Sequence, residues 1–341
     1  ADFATLRLRQ RVLVDVADVD TSTTLAGSPC RLPLALAPLG LAGMMARRGE
    51  AQAARAACAA GVPFTLSTVG ICPLEEVQAA CPAPPWFQLY MLRDRGVVEA
   101  LLQRAWASGC RTLLFTVDLP LAGMRHRDTR HGLGAPGLQP RLHKAGQVLA
   151  RPRWLWDVAL RGKPLRFGCL AEQVPGARDL DAFKAWVDAQ FDPGVTWRDI
   201  EWLRERWPGR LLLKGIMEAD DARAAVTVGA DGIVVSNHGG RQLDSVASTI
   251  RSLPAIVQAV GSQTEVLLDG GVRSGTDIFK ALALGAHGVL IGRPWAWALA
   301  GAGEAGVVAL LACLQRELHA TMSLAGVTRV ADINPSHVDH G

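Results

Sequence analysis

The sequence lacks any closely spaced pair of cysteines. Its seven cysteines are an odd number, and no two of them form a C-x-x-C motif. A disulfide framework normally uses an even set at regular spacings, so this pattern favours reduced thiols in the cytoplasm. We therefore expect the cysteines to be small core residues, and we predict no metal site.

An excess of charge of one sign is also missing. The formal net charge is only +4 over 341 residues, and the Lys and Arg residues are scattered along the chain. A nucleic-acid-binding surface needs concentrated positive charge. We therefore exclude nucleic acid as a partner.

Long hydrophobic runs are absent as well. The longest, at 32–45, is broken by two prolines and two glycines, and it is shorter than the ~20 residues that a membrane span needs. The chain opens Ala1-Asp2-Phe3, with neither a basic segment nor an apolar segment typical of a signal peptide. We expect no transmembrane helix, no signal peptide and a cytoplasmic location.

Eight short apolar or β-rich runs alternate with segments of helical periodicity. The runs lie at 34–37, 64–66, 86–89, 112–115, 211–213, 232–235, 266–268 and 288–291, and the helical segments at 50–60, 97–108, 219–228, 249–260, 276–284 and 305–322. This alternation favours parallel pairing, and eight units predict an α/β fold of the (β/α)8 TIM barrel type. We expect one domain over residues 1–341. An open doubly wound sheet is the alternative.

One connection is unusually long. Residues 119–196, after strand 4, far exceed the ~2–6 residues of an ordinary βα loop, which indicates a functional insertion. The insertion starts with a basic cluster and later interleaves Arg and Lys with Trp154 and Trp156. This composition suits an anionic membrane surface. Packing of both tryptophans against the barrel is the alternative.

The segment after strand 6 is poorly suited to a protein core. Residues 236–242 read S-N-H-G-G-R-Q and follow the apolar run at once. His238 can accept a proton near neutral pH, and Arg241 can bind a carboxylate through its planar fork. We interpret this stretch as part of a catalytic site rather than an incidental polar loop.

Polar residues follow the other strands too. The C-terminal ends of barrel strands meet at one mouth, where the active sites of such barrels lie. The candidates there are Pro38, Leu39, Gly40, Ser67, Gln88, Tyr90, Thr116, Asp118, Lys214, Ser236 and Asp269. Any one of them could be an ordinary polar group of the barrel, but together they predict a site.

The loops after strands 7 and 8 combine glycine with arginine. Gly270, Gly271 and Gly292 expose backbone N–H groups, and Arg273 and Arg293 add positive charge. Barrels commonly bind phosphate at this position. The pattern predicts a phosphorylated cofactor lying across the mouth, with a phosphorylated substrate as the alternative.

Taken together, these motifs resemble the FMN-dependent L-2-hydroxy acid dehydrogenases and oxidases. The family hallmark S-N-H-G-[GA]-R-Q matches residues 236–242, and the resemblance extends over essentially the whole chain. Further matches are A-P at 37–38, T-L-S-T at 65–68, F-Q-L-Y at 87–90, T-V-D at 116–118, K-G at 214–215, D-G-G-V-R at 269–273 and I-G-R at 291–293. The resemblance implies a barrel that holds FMN and oxidises an L-2-hydroxy acid.

Within that family the sequence is most similar to the membrane-associated, quinone-linked L-lactate dehydrogenases of bacteria. The similarity lies at 43–50, 86–96 and 152–158. It implies oxidation of L-lactate to pyruvate, electron transfer to a quinone, a peripheral position on the inner face of the cell membrane and a homo-oligomer. An L-mandelate dehydrogenase and an oxygen-using 2-hydroxy acid oxidase are alternatives.

The resemblance also implies roles for individual residues. His238 would be the base and Asp118 the carboxylate that stabilises its imidazolium. Arg241 and Arg125 would clamp the substrate carboxylate, and Tyr90 would hydrogen-bond the substrate. The residues that would hold FMN are Pro38, Leu39, Gly40, Ser67, Gln88, Thr116, Lys214, Ser236, Asp269, Gly270, Gly271, Arg273, Gly292 and Arg293.

One departure from the family pattern and one different class of function stay open. Family members carry a second active-site tyrosine in a segment that precedes the position of Ala1, and Tyr90 is the only tyrosine in this sequence. A non-redox barrel, such as an aldolase or isomerase, could instead use Lys214 to form a Schiff base with a phosphorylated substrate.

Overall fold

A parallel barrel organises the molecule. The computed structural model describes residues 2–121, 123, 138–171, 186 and 189–339. The strands are β1 (Leu34–Leu36), β2 (Thr65–Ser67), β3 (Trp86–Leu89), β4 (Thr112–Thr116), β5 (Arg210–Ile216), β6 (Gly232–Ser236), β7 (Glu265–Asp269) and β8 (Gly288–Ile291). They pair in the order β1-β8-β7-β6-β5-β4-β3-β2, and a bridge between Leu36 and Phe64 joins the two ends of that order. The predicted TIM barrel is therefore confirmed, and the alternative of an open doubly wound sheet is wrong.

Helices surround the barrel. They are α1 (Gly49–Ala60), α2 (Leu74–Ala80), α3 (Arg95–Ala107), α4 (Leu138–Leu149), α5 (Trp197–Arg206), α6 (Ala219–Thr227), α7 (Thr249–Val260), α8 (Gly275–Ala283) and α9 (Arg293–Leu324). All six predicted helical segments are present. The sequence pattern missed α2, α4 and α5, and it placed the start of α9 too late.

Two apolar layers hold the strands in place. Ala35, Leu114, Leu212, Val234, Leu267 and Leu290 cluster together, while their strand neighbours belong to the layer that meets the helices. A hairpin of Thr23–Leu25 and Ser28–Cys30 adds Leu25 and Cys30 to the first cluster. The Ala26 N–H in its turn donates to the Glu265 carboxylate, at the N-terminal end of β7, at 3.0 Å. The hairpin therefore closes the N-terminal end of the barrel, opposite the mouth where the candidate site residues lie.

The last helix, α9, is long and apolar enough, by length and composition alone, to cross a membrane. The sequence pattern did not predict such a helix, because alanines, glycines and Glu304 interrupt its large apolar side chains. Its backbone leaves helical geometry at Ala302 and Gly303. Buried residues on both sides of this kink, such as Leu299 and Leu311, belong to the barrel core.

The described part of the insertion is attached to the barrel. The Trp154 indole N–H donates to the Met44 carbonyl at 2.6 Å, and Lys163 pairs with Glu76 on α2 at 3.0 Å. Trp156, in contrast, is 60% exposed. Of the two tryptophans, one therefore packs on the barrel and one faces solvent. The extent of the insertion, 119–196, stays a prediction.

Cys58 on α1 and Cys81 after α2 form a disulfide, with 6.1 Å between their Cα atoms. The prediction of reduced thiols throughout is wrong for this pair. The two residues are separated by 23 positions in sequence and meet because α1 packs against α2, which no local motif reveals. Cys30, Cys72, Cys110 and Cys169 are free and buried, as expected, and burial raises the pKa of the Cys30 thiol to about 11. Cys313 on α9 is free but exposed, so the expectation of a core residue is wrong there.

Replacing Trp295 with Phe should destabilise the fold. The Trp295 side chain is fully buried, and its indole N–H donates to the Ala37 carbonyl, just after β1, at 3.1 Å. Loss of this donor leaves a buried carbonyl unpaired, at a cost of about 1–3 kcal/mol. The measurement is the free energy of unfolding in denaturant. Trp297→Phe, on a side chain that is 72% exposed, is the matched control; equal stability of the two variants would contradict the prediction.

Candidate active site

His238 and Asp118 form a hydrogen-bonded pair at the mouth. Asp118 lies two residues after β4, and His238 two residues after β6. The distance from His238 Nδ1 to Asp118 Oδ1 is 2.8 Å, and the side chains are 19% and 13% exposed. A carboxylate at this distance orients the imidazole.

The backbone at His238 has an uncommon conformation. Its φ is +55°, in the left-handed region, as are the φ values of Gly239 and Gly240. The His238 N–H donates to Ser236 Oγ at 3.1 Å, which ties this turn to the end of β6. Non-glycine residues in this region cost free energy and are concentrated at functional sites.

A buried ion pair joins the next strands. Lys214 Nζ lies 2.8 Å from Asp269 Oδ2, and Ser236 Oγ bonds both, at 2.9 Å and 2.8 Å. Burial opposes the charge on Lys214, but the carboxylates of Asp269 and Asp118 outweigh it, so the pKa of Lys214 lies above its usual value. Burial likewise opposes the charge on Asp269, and Lys214 overcomes that effect and lowers the pKa of Asp269. Both groups are therefore charged at neutral pH.

A second polar chain crosses β2, β3 and β4. Ser67 Oγ donates to Gln88 Oε1 at 2.9 Å, and Gln88 Nε2 donates to Thr116 Oγ1 at 3.1 Å. All three side chains are buried. Together with the Lys214 cluster, this chain gives six of the eight strands a polar group at or next to the mouth.

The loops after β7 and β8 form a cradle for an anion. Gly270 and Gly271 have left-handed backbone, and Gly292 caps the N-terminus of α9. Arg273 and Arg293 are exposed, and Arg293 also donates to the Gly239 carbonyl at 3.0 Å. A helix N-terminus with free N–H groups and arginines nearby favours phosphate.

The remaining predicted residues are distributed around the same rim. Pro38, Leu39 and Gly40 are half-buried after β1. The Tyr90 ring packs edge-on against Phe191 with 5.3 Å between the ring centres. Arg241 is on the exposed loop that follows His238. Arg125 lies outside the described residues.

Sequence reasoning gave no role to Gln242. Its Nε2 donates to the carbonyls of Asp118 and Leu121, each at 3.1 Å, across the mouth. Its membership of the heptapeptide at 236–242 was the only sequence signal that could have identified it. The partners lie more than a hundred residues away, so the sequence alone could not name them.

Comparisons with known proteins agree with this geometry. The family model described as FMN-dependent dehydrogenase matches residues 1–340. The chain is 54% identical over 333 residues to an L-lactate dehydrogenase of Caulobacter vibrioides, covering 98% of this chain and 86% of that one. It is 50% identical to an L-lactate dehydrogenase of Stenotrophomonas maltophilia, with 98% and 87% covered.

Solved structures give the same result. A crystal structure of the monotopic membrane protein (S)-mandelate dehydrogenase superposes with a TM-score of 0.91 at 33% identity, covering 99% of this chain and 89% of that one. A mandelate oxidase with bound (S)-4-hydroxymandelic acid gives 0.84 at 38% identity, with 99% and 88% covered. Because a family model spans the chain and relatives share half of its residues, this protein belongs to the FMN-dependent dehydrogenase family.

Proposed function

We propose that this protein uses FMN to oxidise L-lactate to pyruvate and passes the electrons to a quinone. The observation that carries the proposal is the 2.8 Å contact between His238 Nδ1 and Asp118. This contact occupies Nδ1, so Nε2 is the ring nitrogen that takes the hydroxyl proton of the substrate. Asp118 then stabilises the imidazolium that forms.

The residues at the mouth fit FMN. The cradle of Gly270, Gly271 and Gly292, with Arg273 and Arg293, suits its phosphate. The buried Lys214 ammonium is held charged by Asp269, which suits a ring system that gains negative charge on reduction. The other residues assigned to FMN are Pro38, Leu39, Gly40, Ser67, Gln88, Thr116 and Ser236. When bound, FMN supplies the acceptor for the electron pair of the substrate.

Two residues would hold the substrate carboxylate and hydroxyl. We assign Arg241 to the carboxylate, because a guanidinium offers a bidentate fork and Arg241 follows the base by three residues. We assign Tyr90, after β3, to a hydrogen bond that it donates to the substrate. Arg125 stays a candidate for the same carboxylate.

The charge state of Lys214 disfavours the non-redox alternative. A Schiff-base aldolase or isomerase needs a neutral amine as nucleophile. Lys214 is only 4% exposed and is paired with Asp269, and its pKa is raised. An L-mandelate dehydrogenase is the remaining alternative, because an (S)-mandelate dehydrogenase shares the fold at a TM-score of 0.91.

Replacing His238 with Asn should remove the base and leave FMN bound. Asn tolerates the left-handed backbone at this position, so the turn stays intact. We expect anaerobic reduction of FMN by L-lactate to slow at least ~100-fold, measured by the bleaching of flavin absorbance. His319→Asn on α9 is the control. Reduction near the wild-type rate would refute the assignment, and faster bleaching of the wild type by L-mandelate would favour the mandelate alternative.

Electrons should pass to a quinone analogue in preference to oxygen. The support is that relatives at 50–54% identity are dehydrogenases, whereas the mandelate oxidase is 38% identical. The measurement compares turnover with a soluble quinone analogue against peroxide release in air. Stoichiometric peroxide at a comparable rate would make the protein an oxidase.

The insertion offers a surface suited to an anionic membrane. Trp156 and Leu160 are 60% and 65% exposed, and Arg151, Arg153 and Lys163 are exposed close to them in the sequence. Indoles and aliphatic groups enter the lipid interface while cations meet the headgroups. The solved (S)-mandelate dehydrogenase, described as monotopic, supports a peripheral position for this protein.

The double variant Trp156→Ser/Leu160→Ser should lose sedimentation with anionic liposomes. Both side chains face solvent, so the barrel and bound FMN should be unaffected. Wild-type binding should weaken with salt, because exposed charges are screened beyond ~8 Å at physiological ionic strength. Trp297→Ser, at a tryptophan on α9 that is 72% exposed, is the control. The membrane proposal is contradicted if the wild-type protein does not sediment with anionic liposomes, or if the double variant still does.

A further inference from the structure

The carboxylate of Asp118 has little side-chain support of its own. Its Oδ1 contacts His238, while its buried Oδ2 has no hydrogen-bond partner among the described residues. The backbone that carries the carboxylate therefore contributes to its position. That backbone lies beyond the end of β4, where the Val117 N–H donates to the Lys214 carbonyl at 2.9 Å.

Gln242 holds this backbone from the side of the His238 loop. Both donor contacts of its amide go to the segment after β4, to the carbonyls of Asp118 and Leu121. Its Oε1 is buried and has no partner within the described part of the chain. The amide of Gln242 therefore serves as a donor bridge between the loop that carries the base and the loop that carries its carboxylate.

Gly215 leaves room for the Asp118 side chain. The strand register shifts between Lys214 and Ile216, which makes a bulge at Gly215 with a φ of +114°. A Cβ on Gly215 would lie 2.7 Å from Asp118 Cβ and 2.8 Å from its Cγ. Any larger residue would push the carboxylate away, so the glycine makes the contact with His238 possible.

We propose that Gln242 and Gly215 are positioning residues for the His238–Asp118 pair, with Gln242 acting through Asp118. This inference rests on the proposed role of His238 as base. Gln242 fixes the Asp118 backbone, and the bulge at Gly215 admits its side chain. Together they set the 2.8 Å contact that orients the imidazole.

The competing role for Gln242 is to hold its neighbour Arg241. The two roles predict different kinetics. A displaced carboxylate impairs proton removal and lowers the rate of FMN reduction, with little change in KM for L-lactate. A displaced Arg241 binds the substrate carboxylate less tightly and raises KM.

The decisive variant is Gln242→Met, which keeps the length of the side chain and removes both donors. We expect FMN reduction by L-lactate to slow roughly 10- to 100-fold, the scale of a misplaced catalytic group, with KM within about twofold of wild type. Gln78→Met is the matched control, because the Gln78 amide also donates to a backbone carbonyl and its Oε1 is also buried without a described partner. A rise in KM at an unchanged reduction rate would overturn the proposal.

A double-mutant cycle tests whether Gln242 acts through Asp118. In the Asp118→Asn background, Gln242→Met should cause little further loss, because the pair that it positions is already impaired. If the fold reductions in the rate of FMN reduction caused by the two substitutions multiply in the double variant, the proposal is contradicted. Hydrogen exchange of residues 117–121 in the FMN-loaded protein gives a readout without turnover and should speed up in Gln242→Met but not in Gln78→Met.

Failure of the proposed function and failure of this inference give different results. If L-lactate and L-mandelate both leave the FMN of the wild type oxidised, the proposed function fails. If the wild type is reduced and Gln242→Met is reduced equally fast, only the positioning role fails. Gly215→Ala provides an independent check, since its Cβ should slow reduction even with Gln242 intact.

Discussion

The buried ion pair of Lys214 and Asp269 is the interaction on which the rest of the site depends. Two charges taken out of water are tolerated only when each has the other and further hydrogen bonds satisfy them. Ser236 supplies those bonds, and the same hydroxyl accepts the His238 N–H. The ends of β5, β6 and β7 are thereby locked in one arrangement. The turn that carries His238 is anchored to that arrangement, so the electrostatics and the geometry of the site share one origin.

Much of this structure could be predicted from the sequence because the signals are local. Several barrel strands are short apolar runs followed at once by a polar residue or glycine, so 86–89 and 288–291 identify both a strand and the end of it that reaches the mouth. Parallel strands then bring these ends together without further information. The polar residues at 236–242 could be recognised for the same reason, since His238 and Arg241, proposed here as the base and the carboxylate-binding residue, follow one strand end.

The features that sequence reasoning missed depend on long-range contacts. Cys58 and Cys81 meet only through helix packing, and Gln242 reaches Asp118 across 124 positions. The early start of α9 was hidden by its alanines and glycines, which interrupt the helical spacing of large apolar side chains. Arg125 remains a prediction, as does the homo-oligomer. Helix packing decides the disulfide and tertiary hydrogen bonds decide the place of Gln242, rather than local propensity.

The left-handed backbone at His238 restricts how this position can vary in evolution. Asn, Asp and His are enriched in that region, whereas β-branched and bulky residues are strongly disfavoured there. Of those three side chains, only imidazole combines a pKa near neutrality with two nitrogens, one to receive a carboxylate and one to face a substrate. Two constraints therefore favour histidine at this position: the left-handed backbone conformation and the chemistry of the imidazole. Most substitutions of His238 therefore lose both the imidazole and the compatibility with left-handed backbone. Asn or Asp would keep the backbone conformation.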